Sequence, residues 1–555
     1  MGRTKKFLAA GLALTLTASA AFSAIGCAST EELIKDGKTV NVKMHSAGYG
    51  TSYIYALQEK FEAAYEAEGY KLNIFTPKAG FTGVQFVQDI ETGAGADLYI
   101  GGGVTRTMLK EYEGTIADIT DSVLNKKPIG FDGKEVGDKT VKQILEGSNY
   151  GYTALQKEDG SYYAIPWNSG IRGLAVNMSV LKAYNLEIPK TTKEFFHCFD
   201  VIMEEAAETA IYPITQIATT NNYPVSASSG WMAQYEGLEW YNELYTFQKA
   251  DGTKLEKAAA IEMFNSDGVK YMLENFYRVM DLNVATNGSN TQGVEKAQAK
   301  FMNGQCAFML NGDWMLQETY SQFSDKERAN ITFARVPIIS ELGVKLFGAG
   351  TSYNKSEADC EKILRAIVDE VDANKEISAI KTALEGKGYT IETADIERVA
   401  YARGYTYPES VESGMYISEK SDVKDIAALF LRMVASSEGG QLLSAKTYSS
   451  NPYVQTYEAS HYPWVTAARE IVGSRYFQGV RSDISGYRAT IDANFLDIFP
   501  YTGTYINAKV AEQKVSMYDP ESFALIGTTQ VYKTAAANMQ KAIYDDIKNN
   551  YNNKW

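Results

Sequence analysis

Six Trp and 38 Tyr stand out in this chain of 555 residues, the Tyr at roughly twice average usage. Both side chains join an apolar face to a polar tip, so they serve packed cores and also hydroxyl-rich, wet ligands whose C–H faces stack on rings. Ser228-Ser229-Gly230-Trp231 reads as a Gly/Ser-rich loop able to project Trp231 into a ligand crevice. Tyr49 lies in His45-Ser46-Ala47-Gly48-Tyr49-Gly50, between a strand and a helix, where backbone amides at a helix N-terminus also face a ligand. Each ring has a plain alternative as a core or surface residue.

Acid–base, metal and phosphate chemistry find less support. His45, His197 and His461 are few and scattered, with no HExxH, and neither GxSxG, GxxxxGK[ST] nor GxGxxG occurs. Gly48, Gly50 and Gly101 to Gly103 therefore read as tight loops under a ligand rather than phosphate cradles. Neither a cofactor nor a metal is expected. Lys plus Arg number 54 against 68 Asp plus Glu, a net charge of -14, and such a surface repels phosphate backbones, so nucleic acid is not expected as a partner.

The elements that would position these residues are α/β in pattern. Thr39 to Met44 alternates like a strand, Ile54, Leu57, Phe61 and Ala64 fall at helical spacing, and Leu72 to Phe75 and Asp97 to Ile100 read as further strands. Strands alternating with amphipathic helices imply a parallel sheet with a crevice at its carboxyl ends. Farther on, Thr192 is a candidate N-cap, Cys306 to Leu310 a strand ending in the turn Asn311-Gly312-Asp313-Trp314, and Ile331 to Val336 another strand. Residues 355–400 read as a helical insertion. Cys198, Cys306 and Cys360 have no CxxC spacing and suit buried, inert thiols.

Arg3, Lys5 and Lys6 precede an uncharged run from Phe7 to Ile25, which reads as a secretion signal over 1–26. Ala24-Ile25-Gly26-Cys27 resembles a bacterial lipobox, in which the Cys thiol is acylated, although Leu is usual where Ala24 stands and a smaller residue where Ile25 stands. Plain cleavage nearby is the alternative. Residues 27–38 would then tether an exported body to the outer face of the cell membrane.

Four stretches resemble the extracellular solute-binding proteins of bacterial ABC importers, specifically the sugar-binding lipoproteins related to maltodextrin-binding protein. They are Ala47 to Thr51, Ala96-Asp97-Leu98-Tyr99-Ile100-Gly101-Gly102, Ile188 to Phe195, and Lys300 to Trp314. A fifth, Ser421 to Ala427 through Ser436-Ser437-Glu438-Gly439, is similar to the family's late helix and its Ser-x-Glu-Gly end. The resemblance implies a two-lobed, type II periplasmic-binding-protein-like fold with a multi-strand hinge, closing over one ligand. The expected divisions are 39–165 and 411–446 for the first lobe, and 170–410 and 447–555 for the second.

The resemblance also implies site residues. Trp314 follows the Asn-Gly turn where the family places a sugar-stacking aromatic, and Asp313 beside it could accept two sugar hydroxyls. Trp167 and Asn168, after Pro166, stand where the family's crossover borders the cleft. At Gly102 the maltodextrin binder has an aromatic, which implies a differently shaped ligand here. The resemblance further implies a monomer that binds a small solute, a mono- or oligosaccharide, and delivers it to ABC permease subunits without catalysis. A peptide, polyamine or anion in the same fold stays open as a ligand, and an exported carbohydrate-active enzyme is the reading from another class.

Overall fold

A computed structural model of the chain describes residues 33–45, 48–77, 83–93, 95–101, 104, 112–148, 156–157, 159–217, 223–246, 248–408, 414–454, 456–479, 516–519 and 522–550. Cys27 and the signal segment lie outside the described residues, as does Gly102. Strand β1 (Thr39–Met44), helix α1 (Ser52–Ala64), β2 (Lys71–Phe75), α2 (Gly83–Thr92) and β3 (Leu98–Ile100) open the fold. Helix α1 buries Tyr53, Ile54, Leu57 and Phe61, a spacing that places all four on one face. Strand β1 pairs in parallel with β2 on one side and β3 on the other.

Next come β4 (Ile165–Pro166), β5 (Ile171–Asn177), α3 (Thr192–Met203), β6 (Tyr212–Thr215), α4 (Val225–Glu236), α5 (Asp267–Met280), α6 (Val294–Met302), β7 (Cys306–Gly312), α7 (Met315–Glu318) and β8 (Ile331–Ala334). Helices α8 (Glu357–Asp372), α9 (Ile377–Gly386) and α10 (Thr393–Gly404) follow, then β9 (Tyr405–Pro408) and β10 (Gly414–Ile417). The chain continues through α11 (Lys424–Val434), α12 (Ser437–Thr447), α13 (Pro463–Val472), β11 (Gln478–Gly479) and α14 (Thr529–Asn550).

Two sheets result. The first has the order β2-β1-β3-β10-β4, with β10 antiparallel to both neighbours. The second has the order β11-β9-β5-β7-β6, with β8 also on β5. Strand β5 is the hub, antiparallel to β7, β8 and β9. The chain crosses from one sheet to the other between β4 and β5, between β9 and β10, and between α12 and α13.

Each sheet has its own core, so the molecule is two lobes. Val40, Val42, Leu57, Phe61, Phe430 and Met433 pack around the first sheet. Both faces of the second are covered, because Leu174 and Val176 of β5 point into one cluster while Ile171 and Ala175 point into another. Helices α8 to α10 and α14 pack into the first of those clusters through Ile363, Leu384, Val399 and Ile543. Asp97, from the Ala96-Asp97 stretch, is a clamp in the first lobe: its carboxylate accepts from Asn41 N and Nδ2 and from Ser421 Oγ.

Three local expectations change. The cap of α3 is Thr191, whose hydroxyl accepts from Glu194 N at 3.2 Å, and Thr192 is the first helical residue. Strand β7 runs through Asn311 and Gly312 because β5 offers Gly173 and Arg172 as partners, so the turn begins only at Asp313. Ser228-Ser229-Gly230 is helix rather than loop: both serines are fully buried in α4, where small side chains allow close packing. Cys198, Cys306 and Cys360 are free and buried, and burial pushes the Cys198 thiol up to about 12.

Candidate functional site

The loop from β1 to α1, the passage from β4 to β5 and the turn from β7 to α7 meet where the two lobes touch. Tyr49 comes from the first, Trp167 and Asn168 from the second, and Asp313 and Trp314 from the third. Tyr49 packs edge-on against Trp167 with ring centres 5.1 Å apart and against Trp314 at 5.9 Å. Tyr53, in the first turn of α1, stacks on Trp167 at 4.5 Å and 15°. Trp314 follows a strand of the second sheet, yet its ring belongs to the apolar cluster of the first lobe.

Asp313 is held firmly. Its Oδ1 accepts from the Tyr49 hydroxyl at 3.2 Å and from Ile171 N at 3.3 Å. Its own N–H donates to Ile171 O at 2.9 Å, and its carbonyl accepts from the Trp464 indole at 2.8 Å. A carboxylate with two donors on one oxygen is compensated in a way a bare buried charge is not. Asn168 is buried and its Oδ1 accepts from Gly170 N at 3.1 Å.

The approach is too close for side chains at two glycines. A Cβ on Gly48 would overlap the Trp314 ring and lie 2.7 Å from Glu318 Oε1, and a Cβ on Gly170 would overlap the Tyr49 hydroxyl. Glu318, at the end of α7, thus lies against the β1–α1 loop of the other lobe. Gln298 Nε2 donates to it, but burial dominates and raises its carboxyl to about 6.

The passage 167–170 is strapped to the passage 448–462. Asn451 Nδ2 donates to Trp167 O at 2.6 Å, the Tyr453 hydroxyl to Pro166 O at 2.8 Å, and Ser169 N to Ser450 O at 2.8 Å. The Trp167 indole N–H, the Ser169 hydroxyl and the Tyr53 hydroxyl are buried without a hydrogen-bond partner among the described residues. Buried polar groups are normally satisfied, so three at one junction point to polar ligand atoms or ordered water.

Of the residues expected from sequence, Tyr49, Trp167, Asn168, Asp313 and Trp314 come together here. Trp231 does not: it is fully buried in the second lobe and its indole donates to Pro337 O at 2.9 Å, a satisfied core ring. Tyr53, Arg172, Tyr223, Tyr407 and Glu318 were not expected. The signal for the first was its place beside Ile54 and Leu57 on the buried face of α1. The guanidinium of Arg172 lies over the rings of Tyr223, Trp314 and Tyr407, and no local pattern announces that meeting.

No curated protein matches the sequence. Among solved structures, a chitin oligosaccharide binding protein is 11% identical, with a TM-score of 0.52 and coverage of 92% of this chain and 100% of that one. The GacH receptor of Streptomyces glaucescens, solved with acarbose, is 14% identical, with a TM-score of 0.51 and coverage of 91% and 98%. A structure from a study of xylan utilization by Caldanaerobius polysaccharolyticus is 12% identical, with a TM-score of 0.54 and coverage of 90% and 99%. At such identities the likeness is one of fold, the two-lobed type II binding-protein architecture. The profile of bacterial extracellular solute-binding proteins matches residues 47–441, well over half the chain. The chain belongs to the bacterial extracellular solute-binding protein family.

Proposed function

We propose that this protein captures a mono- or oligosaccharide between its lobes and delivers it, without chemical change, to the membrane subunits of an ABC importer. The observation that carries the reading is the set of rings at the lobe junction, Tyr49, Tyr53 and Trp167 from one side and Trp314 from the other. A pyranose offers C–H faces to such rings and hydroxyls to their rims. Asp313, Asn168 and the unpartnered Trp167 and Ser169 groups suit those hydroxyls. The chitin oligosaccharide binding protein and the GacH receptor solved with acarbose, which share the fold, are consistent with a carbohydrate ligand.

In the same reading, 39–165 with 411–446 and 170–410 with 447–555 are the two bodies that close on ligand, and the protein works as a monomer anchored by lipid at Cys27. Closure supplies the differential affinity by which ligand selects the form the permease accepts. No described helix is long and apolar enough to cross a membrane. A thermal-shift screen over a glycan panel tests the proposal, because a ligand bound only by the folded state raises the melting temperature. Stoichiometric uptake without products is expected. Multiple-turnover release of shorter sugars would replace the binding reading with hydrolysis.

A further inference from the structure

A cavity of about 560 Å³ opens beside the passage 448–462, and its described walls hold none of Tyr49, Trp167, Asn168, Asp313 and Trp314. Ligand pockets run from about 300 to 1,000 Å³, so the space admits a small molecule. Its walls come from both lobes. Phe131 and Leu442 pack on the first lobe's core cluster, and Tyr448 on a cluster of the second.

Tyr448 caps α12 at φ 60°, in the left-handed region where glycine is the usual residue. The ring is kept there against the preference of its own backbone. Tyr320 stacks on it at 5.5 Å and 28°, and Tyr462 meets it edge-on at 5.5 Å, so the ring on the cavity wall is already fixed. A fixed aromatic surface suits the C–H face of a sugar.

The polar groups on the walls are of both signs. Arg469 of α13 packs on the Tyr457 ring, its guanidinium carbon 4.4 Å from the ring centre, and its Nη1 donates to Glu458 O at 3.1 Å. Its Nε has no hydrogen-bond partner among the described residues. Glu438 Oε2 accepts from Phe131 N at 2.7 Å, which leaves its other oxygen for a ligand. Glu458 is exposed on the same wall, and His461 stands beside it. An anion in this space meets two carboxylates, and a cation meets the guanidinium. A hydroxyl both donates and accepts, so adjacent hydroxyls of a neutral sugar use the carboxylates and the guanidinium together.

We propose that this cavity is a second carbohydrate site, separate from the lobe junction, which takes a neutral sugar unit with its ring face on Tyr448 and its hydroxyls on Arg469 and Glu458.

The test is equilibrium dialysis of the purified full chain against radiolabelled xylotriose, maltotriose, chitotriose and raffinose. Ala445, an exposed α12 residue on the cavity wall, provides the blocking variant, since Ala445→Phe fills the space without entering a core. Tyr448→Asn keeps a residue that accepts the left-handed backbone and removes the ring. At least one of these sugars should show binding that persists in Trp314→Ala and is weakened about tenfold or more by Ala445→Phe, Tyr448→Asn and Arg469→Gln. If a variant does not fold, a diazirine derivative of the same sugar on the unaltered protein decides, and the label should fall within 437–469.

Loss of all sugar binding in folded Trp314→Ala, or binding untouched by Ala445→Phe and Tyr448→Asn, would overturn the second site and leave the junction reading standing. A label confined to the Tyr49, Trp167 and Trp314 segments would do the same. Binding blocked by Ala445→Phe but confined to charged sugars or amino acids would overturn the neutral-sugar assignment. If no sugar binds any form of the protein, this site and the junction reading fall together.

Discussion

The Tyr49 hydroxyl donates to Asp313 Oδ1 at 3.2 Å, joining residues 264 positions apart that belong to lobes with separate cores. A bond of this kind exists only while the lobes are together, so its free energy counts toward the closed form. Hydrogen bonds to a charged group contribute about 1.5–3 kcal/mol. Tyr49→Phe keeps the ring contacts with Trp167 and Trp314 and removes only the hydroxyl. Ligand affinity should fall about tenfold by calorimetry, and an unchanged value would mean the bond is replaced by solvent at no cost.

Trp314→Ala should weaken ligand binding by about 1–3 kcal/mol, the scale of a lost interfacial aromatic. Its ring is buried within the first lobe's apolar cluster, so some loss of thermal stability accompanies the change. Calorimetry at a temperature well below the melting point separates the two effects.

Gly48→Ala tests the fit of the lobes without removing any group. A Cβ there overlaps the Trp314 ring and approaches Glu318 Oε1 to 2.7 Å. The added methyl faces the opposite lobe, so it should disfavour closure and cost about tenfold or more in affinity while the melting temperature of the free protein barely changes. Small-angle scattering with saturating ligand should show a larger radius of gyration than for the unaltered protein.

Glu318 makes stability depend on pH. Burial raises its carboxyl from 4.5 to about 6, so the folded protein keeps a proton that the unfolded chain releases between those values. Stability from this group is therefore greatest at low pH and declines as pH rises from about 4.5 through about 6, after which the buried charge costs about 2 kcal/mol. Glu318→Gln should melt higher than the unaltered protein at pH 7, with the advantage gone near pH 4.5. Glu341, raised to about 7 by burial, has the same sign but is present in both proteins and cancels in the difference.

Trp231→Ala should behave oppositely to the site variants. Its ring fills the second lobe's core and its indole is satisfied by Pro337 O. A loss of about 3–5 kcal/mol in unfolding free energy is expected from denaturant titration, with ligand affinity of the folded fraction intact.

These residues also show what could be read before the fold was known. The β-α-β opening was legible because Ile54, Leu57 and Phe61 repeat at helical spacing between alternating strands. Trp167, Asp313 and Trp314 stood out through the order and spacing of motifs along the chain. Trp231 misled because Ser-Ser-Gly signals a loop locally, whereas tertiary packing uses small residues to bring α4 close to its neighbours. Asn311-Gly312 misled in the same way, since β5 supplied a ladder partner stronger than the turn preference. Arg172 was invisible because its aromatic neighbours Tyr223, Trp314 and Tyr407 are gathered from distant parts of the chain.

The three buried thiols make the protein convenient to label. A maleimide needs an exposed thiolate, and Cys198, Cys306 and Cys360 offer neither exposure nor charge. A cysteine placed at an exposed position such as Tyr320 or Tyr55, one on each side of the lobe junction, would then be the reactive handle among the described residues. A dye pair at those two positions would report lobe movement as energy transfer, turning the molecule into its own solute gauge.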